Sequence, residues 1–447
     1  MRKAISTFFD AECMTGRIIC CTIYILFYDY IYEHFVFELF QYMGLDYVSM
    51  TPVEYVLWII LSVTPIFFYQ GIKQVSSFFC ILLYLFVYIP FVHALFITYG
   101  IDPFTQYSYT VVLCLFFSFY FFFEKRFPLF QKLTITPLIP ITYVEIVTLL
   151  LFAFFIGARA SSMHFVNIFT QTDILYDLRS QNSETGQSLA FIQYIQGWLN
   201  GAFFPFLLIC YLEEKSYMKA SCVLGGYLAL FMVDMQKITF IMPFALIAFY
   251  FLIKTQGVKI LNKLHSFLII VISIISFVLY IVQDDPLLFT IGSIIILRTV
   301  CVAGWLSQLY LHFFSTNPYT HYAHINLVNA VTGGYPYNEP LGMAVAYHTQ
   351  NANANFFLTD GLAAWGLIGI IIIGCFFFML MQIINAISFK YETTHLLMAF
   401  LPFVGYLLNT SIFTTILSDG LFILFFLLLA TENPLLIDSK DHSQEDG

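Results

Sequence analysis

Four cations and a run of amides are the side chains in this sequence best suited to chemistry. Arg159 (in FIGARASS), Arg179 (in DILYDLRSQ), Lys237 (in VDMQKITF) and Arg298 (in IIILRTVCV) each stand in or beside apolar sequence. A set of cations without matching acids suits an anionic ligand, and Arg suits phosphate through its bidentate fork. The plainer reading is that each one snorkels to lipid headgroups or pairs with a nearby acid such as Asp177 or Asp234. Further along, NANANFFLTDGLAAWGLIG alternates Asn351, Asn353 and Asn355 with small or apolar residues ahead of Asp360 and a glycine-spaced run. Uncharged donors and acceptors of this kind suit sugar hydroxyls. Asp360 and Gly361 can equally start a helix, and Gly366 and Gly369 allow close packing.

Acid–base groups are fewer. Glu339, His348, Asp360 and Asp177 are the candidates for a general base toward a hydroxyl, and the sequence does not rank them. HYAH at 321–324 has metal-ligand spacing, but no Asp, Glu or Cys lies close by in sequence, so neither a metal nor another cofactor is expected. His324 is instead a candidate substrate contact, as are Tyr310, Tyr337 and Tyr347, whose rings could stack on sugar faces. Packing is the default for aromatics of this kind. The acidic pair Asp284–Asp285 before Pro286 reads as the start of a structural element.

The elements that must position these groups are membrane helices. The chain has 447 residues, 60% of them hydrophobic and only 10% charged. Soluble domains carry about 25% charged residues. Apolar stretches of about 20 residues recur, long enough to cross a bilayer core of about 30 Å. The short alternating segments of a membrane barrel are absent. Nine cysteines without a CxxC signal neither a disulfide framework nor a zinc site. A net charge of −9 excludes a nucleic-acid surface as the reading. No cleavable signal peptide is evident in the first residues.

Twelve spans are expected, at about 18–40, 52–71, 76–99, 108–123, 141–158, 188–212, 219–235, 238–253, 266–283, 361–386, 396–411 and 413–430. With the N-terminus cytoplasmic, all but four of the 18 Lys and Arg residues face inward, a strong positive-inside bias. The four exceptions are the cations named above. Residues 286–303 are apolar enough to be a thirteenth span, but a crossing there would turn the Lys- and Arg-free stretch 304–360 cytoplasmic. An interfacial or re-entrant helix carrying Arg298 is therefore expected. The whole chain reads as one all-α polytopic membrane domain with two large extracytoplasmic loops, 159–187 and 284–360. Long loops are more often functional than idle.

The stretch from Arg298 through GWLSQLYLHFFSTNPYTH and YPYNEPLG to NANANFFLTDGLAAWGLIG resembles the Wzy-type O-antigen and capsule repeat-unit polymerases. Asn355, Leu358, Gly366 and Gly369 are similar to an Asn…Leu…Gly-x-x-Gly pattern of these polymerases and of O-antigen ligases. Ala354 stands where the ligases have His, which favours a polymerase. The Arg-x10-Gly motif of some polymerases is not found after Arg159, Arg179 or Arg298. The resemblance implies a GT-C-like, metal-independent, inverting glycosyltransferase in the bacterial inner membrane, with its active site periplasmic. It further implies an undecaprenyl-diphosphate-linked glycan as donor, a lipid-linked repeat unit as acceptor, and a chain-length regulator as a further partner. On this reading Arg298, Arg179, Arg159 and Lys237 stabilise the diphosphate, while His348 or Asp360 serves as base. A lipid-linked oligosaccharide flippase and an O-antigen ligase are the alternatives.

Overall fold

The computed structural model describes residues 8–123, 136–164, 190–347, 352 and 360–436. Among these the chain is almost wholly helical: α1 (Met14–Met43), α2 (Pro52–Phe67), α3 (Val75–Ile97), α4 (Pro103–Phe123), α5 (Ile141–Ser162), α6 (Phe191–Glu213), α7 (Tyr217–Asp234) and α8 (Lys237–Gln256). The order continues with α9 (Ile260–Ile281), α10 (Pro286–Thr316), α11 (Asn326–Thr332), α12 (Leu341–Val345), α13 (Leu362–Ser388), α14 (Thr393–Leu407) and α15 (Ile412–Ala430). Ten of the described helices are long and apolar enough to cross a membrane. Of the twelve expected spans, those at 52–71 and 396–411 correspond to shorter helices, and α7 is not among the ten. The uncounted segment, α10, is.

The starts of several helices are written locally. Thr51 and Glu54 form a reciprocal capping box ahead of α2, with Pro52 at its first position. Asp285 caps α10 by accepting from the amides of Leu287 and Leu288 at 3.0 and 3.1 Å, so the acidic dipeptide is a helix start.

Two compact units are present. Unit 1 comprises 1–129, 259–382 and 407–412; unit 2 comprises 130–258, 383–406 and 413–447. The core of unit 1 is α3, whose apolar window is 94% buried, as expected of a helix that is hydrophobic on every side. Tyrosine hydroxyls bond its backbone and its neighbours' backbones, which sets directions. Tyr24 donates to Leu85 O at 2.9 Å, and Cys21 meets Tyr84 at 2.9 Å, so α1 and α3 run parallel. Tyr84 and Tyr88 donate to Ser62 O and Leu61 O, while Trp58 stacks near His93, so α2 runs the other way. The start of α9 meets the start of α1: Asn262 O accepts from the amide of Ala11, and Ser266 Oγ donates to Phe9 O and lies 3.8 Å from Cys20 Sγ.

α10 is the exception to this up-and-down order. Phe289 packs on Phe35, and Gly292 sits against Leu279, both near one end of the unit. Cys301 then lies deep against Tyr28, and Gly304 beside Pro90 O. Gln308 and His312 return to Asp46, in the loop between α1 and α2. The helix therefore descends and comes back, with a π-helical turn, Leu297–Cys301, at its deepest point. Extra residues in such a turn are a recognised source of sharp kinks.

Unit 2 packs α5, α6, α7, α8, α14 and most of α15. A short parallel pair, Ile139–Pro140 with Thr431–Glu432, ties the start of α5 to the end of α15. Its α6 carries Gly197 and Gly201 against the backbone of Ser418 and Asp419, where any Cβ would come within 2.1 Å of a carbonyl oxygen.

Candidate functional site

The glycine run builds one wall of a cluster in unit 1. At the start of α13 the backbone leaves helical geometry at Trp365 (φ −153°, ψ 32°) and Gly366 (φ 57°, ψ −127°). The chain folds back so tightly that a Cβ on Gly361 would lie 2.8 Å from Gly369 C, and one on Gly369 would lie 1.9 Å from Gly361 O. Only hydrogen fits at either position. At Gly366 the hydroxyls of Tyr319 and Tyr109 fill the space where a side chain would go.

This fold-back carries Asp360 inside, where it is 0% exposed. Its Oδ2 accepts from Ser411 Oγ at 2.7 Å and from the amide of Ile412 at 3.1 Å. Its Oδ1 faces Nε2 of His324 at 3.4 Å, and the other ring nitrogen of His324 meets Thr320 Oγ1 at 2.7 Å. Oδ2 thus has two donors, while Oδ1 and the His324 Nε2 that faces it are both buried without a hydrogen bond. Asp360 is thus enclosed within unit 1 rather than presented to solvent.

His324 is held by a strained turn. His321 and Tyr322 both adopt left-handed conformations, with φ of 51° and 64°. For residues with a Cβ this costs roughly 1–2 kcal/mol each. Hydrogen bonds from the amides of Thr320 and His321 to Ala363 O and Ala364 O hold the turn against the start of α13. Trp365 packs its ring on both His321 and Tyr322. Strain of this kind persists where the surroundings over-determine the backbone, often at working sites.

Aromatic rings form the adjoining face. Phe313 meets Tyr337 at 5.2 Å and Tyr347 at 5.8 Å between ring centres, and Tyr335 meets Tyr337 at 5.6 Å. Tyr337 donates to Pro318 O, and Tyr335 to Glu339 O. Burial first, with neighbouring Tyr and Glu side chains adding to it, pushes the Tyr335 and Tyr337 hydroxyls up to about 12, so both act as neutral donors. Tyr347 is 64% exposed with φ 48°, a ring offered outward from a constrained backbone. Tyr310, by contrast, is wholly buried and donates to Ala352 O at 3.2 Å.

Arg298 sits on the π-helical turn of α10 and is exposed, with its guanidinium 5.9 Å from the ring centre of Trp305. No carboxylate among the described residues pairs with it. Arg159 ends an α-helical stretch in unit 2, where a cation favours the helix dipole, and Lys237 begins α8 just after the left-handed Met235. The candidate cations therefore divide between the two units. Arg179, His348, Asn351, Asn353 and Asn355 lie outside the described residues, as does the side chain of Lys237.

Two polar groupings escaped sequence reasoning. In unit 2, Asp234 accepts from Gln196 at 3.0 Å and from Thr239 at 2.6 Å. In unit 1, Asp29 and His93 pair at 2.8 Å in the core. The available signal was Asp29 and Glu33 standing four apart in an apolar run. Among the described residues no group of three or more His, Cys, Asp or Glu could hold a metal ion.

Fold and site together define an all-α protein with many helices of membrane-crossing length. No family model, curated protein or solved structure matches the chain.

Proposed function

We propose that this protein is a membrane glycosyltransferase that joins lipid-diphosphate-linked oligosaccharide repeat units into a surface polysaccharide of the O-antigen or capsule kind. One observation carries the reading: Arg298, exposed and without a carboxylate partner among the described residues, on a helix that dips into an apolar unit and returns. A guanidinium without a paired carboxylate suits the charge that develops on a diphosphate leaving group. The aromatic face of Tyr337 and Tyr347 and the amide run Asn351–Asn355 suit the sugars. The donor is an undecaprenyl-diphosphate-linked glycan and the acceptor a lipid-linked repeat unit. The reaction takes place at the outer leaflet of a bacterial inner membrane, with no metal.

A transporter of the same lipid-linked glycan is the second reading. The observation in its favour is the buried Asp29–His93 pair, since ionisable residues inside membrane bundles mark proton relays in pumps and transporters.

Deletion of the gene in its host, followed by gel analysis of surface lipopolysaccharide, tests the proposal. A polymerase mutant leaves core plus one repeat unit, whereas loss of a transporter or a ligase leaves bare core. Arg298→Ala should abolish the ladder at normal protein level, and Arg298→Lys should restore it only in part, because the bidentate geometry is lost. A full ladder from the deletion strain would sink the proposal.

A further inference from the structure

The start of α1 holds a buried cation that the cluster described above does not use. Arg17 is only 6% exposed, whereas a snorkelling arginine keeps its head in water. Its Nε is buried without a hydrogen-bond partner, and no carboxylate among the described residues pairs with it. Three segments of unit 1 enclose it. The backbone ahead of α1 folds back on the helix, so a Cβ on Gly16 would lie 1.8 Å from Phe8 O. That segment is tied to the start of α9, where the amide of Ala11 donates to Asn262 O at 3.0 Å and Ser266 Oγ to Phe9 O at 3.1 Å. Tyr69, just past the end of α2, and His265 of α9 are both within electrostatic reach of Arg17 and both buried. Their rings meet edge to face at 5.8 Å. Nε2 of His265 meets Ser266 Oγ at 3.0 Å, and its Nδ1 is buried without a partner.

The charges at this end of the unit are mostly positive. Asp10 acts on His265 and accepts from the amide of Glu12 at 3.2 Å, but forms no ion pair with Arg17. Lys73 stands in the loop after Tyr69, and Lys263 stands at the start of α9. A Cβ on Gly71 would meet Asn262 Oδ1 at 2.8 Å, so the loop carrying Lys73 lies against the start of α9. Enclosing a cation is costly unless an anion compensates it. The fork of a guanidinium matches the oxygens of a phosphate group. Basic sites between membrane helices at the cytoplasmic side hold lipid headgroups by this chemistry. The distribution of Lys and Arg predicts that this end of unit 1 is cytoplasmic.

We infer that Arg17, with Tyr69 and His265 beside it and Lys73 and Lys263 at the same end, binds a phosphate group carried by an anionic lipid or by a soluble phosphate. The site lies at the end of α1 away from the 44–51 loop and is independent of the reaction the protein performs. Thermal unfolding of the purified full-length protein in a neutral sugar detergent, at fixed ionic strength, tests it. Phosphatidylglycerol, inorganic phosphate and diacylglycerol are added separately. A ligand that binds the folded state raises the melting temperature by mass action. The wild type should gain several degrees from at least one phosphate source and nothing from diacylglycerol, which lacks the phosphate. A gain from the lipid alone assigns a headgroup, and a gain from inorganic phosphate a soluble ligand. The gain should vanish in Arg17→Gln and survive in part in Arg17→Lys, which keeps the charge and loses the fork. No gain from either phosphate source in the wild type, or an equal gain from diacylglycerol, overturns the site whether or not the variants fold. An undiminished gain in Arg17→Gln overturns the assignment to Arg17.

Discussion

Glycines 361 and 369 are the residues whose identity the site can least afford to change. Each faces the other's backbone, so an added methyl must push main chain rather than a flexible side chain. Gly361→Ala and Gly369→Ala should each destabilise by about 1–3 kcal/mol, as overpacked sites do. The measurement is thermal unfolding in detergent, with Gly225→Ala as the comparison. Nothing lies within 4 Å of the Gly225 Cβ position, and helix propensity favours the alanine there. Equal melting temperatures for all three variants would refute the hairpin geometry. The spacing Gly-x-x-Gly was legible in the sequence, but the partner of Gly369 was not. Gly361 reaches it only because Trp365 and Gly366 reverse the chain.

Helix α10 is one of the ten described helices long and apolar enough to cross a membrane. Length and hydropathy qualify it for crossing, yet its contacts bring Phe289 and His312 to the same end of unit 1. Cysteines placed at Asp284 and Thr316, in a background with exposed Cys222 and Cys375 changed to serine, should behave alike toward a membrane-impermeant maleimide in intact cells. Opposite labelling would make α10 a true crossing. A second element, α4, tests capping chemistry. Asp102 accepts from the hydroxyl and amide of Thr105 at 2.6 and 3.0 Å, and these bonds hold its carboxyl below the usual carboxylate range. A depressed folded-state value means the contribution is present above the unfolded pKa of about 3.9 and is lost as pH falls through the lower, folded value. Asp102→Ala should therefore lower the melting temperature at neutral pH, and the gap from wild type should close in strong acid. A gap independent of pH would show that the carboxylate charge is not what caps the helix.

At the scale of the molecule, the distribution of Lys and Arg predicts which side each connection occupies. Alkaline phosphatase inserted between Gly333 and Gly334 should be active, and the same insertion at Gly257, among Lys254, Lys259 and Lys263, should be inactive. The reverse pattern would invert the topology and place the Tyr337–Tyr347 face in the cytoplasm. The two-unit division is not visible in the sequence, because unit 1 draws on three separated stretches of chain and unit 2 on three others. Candidate cations close in chemical type thus belong to different units, Arg298 to one and Arg159 and Lys237 to the other.

The sequence by itself determined the helical class and most helix positions, because apolar runs of membrane length and local caps such as Thr51–Glu54 are encoded within a few residues. It also pointed to Arg298, Asp360, His324 and the aromatic loop, since polar groups in so apolar a chain stand out. Tertiary structure decided what those groups do to one another. Asp360 is enclosed by Ser411 and His324, which lie 51 and 36 positions away, and Tyr310 is spent on Ala352. His93 meets Asp29 across 64 residues. Such pairings depend on which helix faces which, and periodicity along one segment carries no information about the face of another.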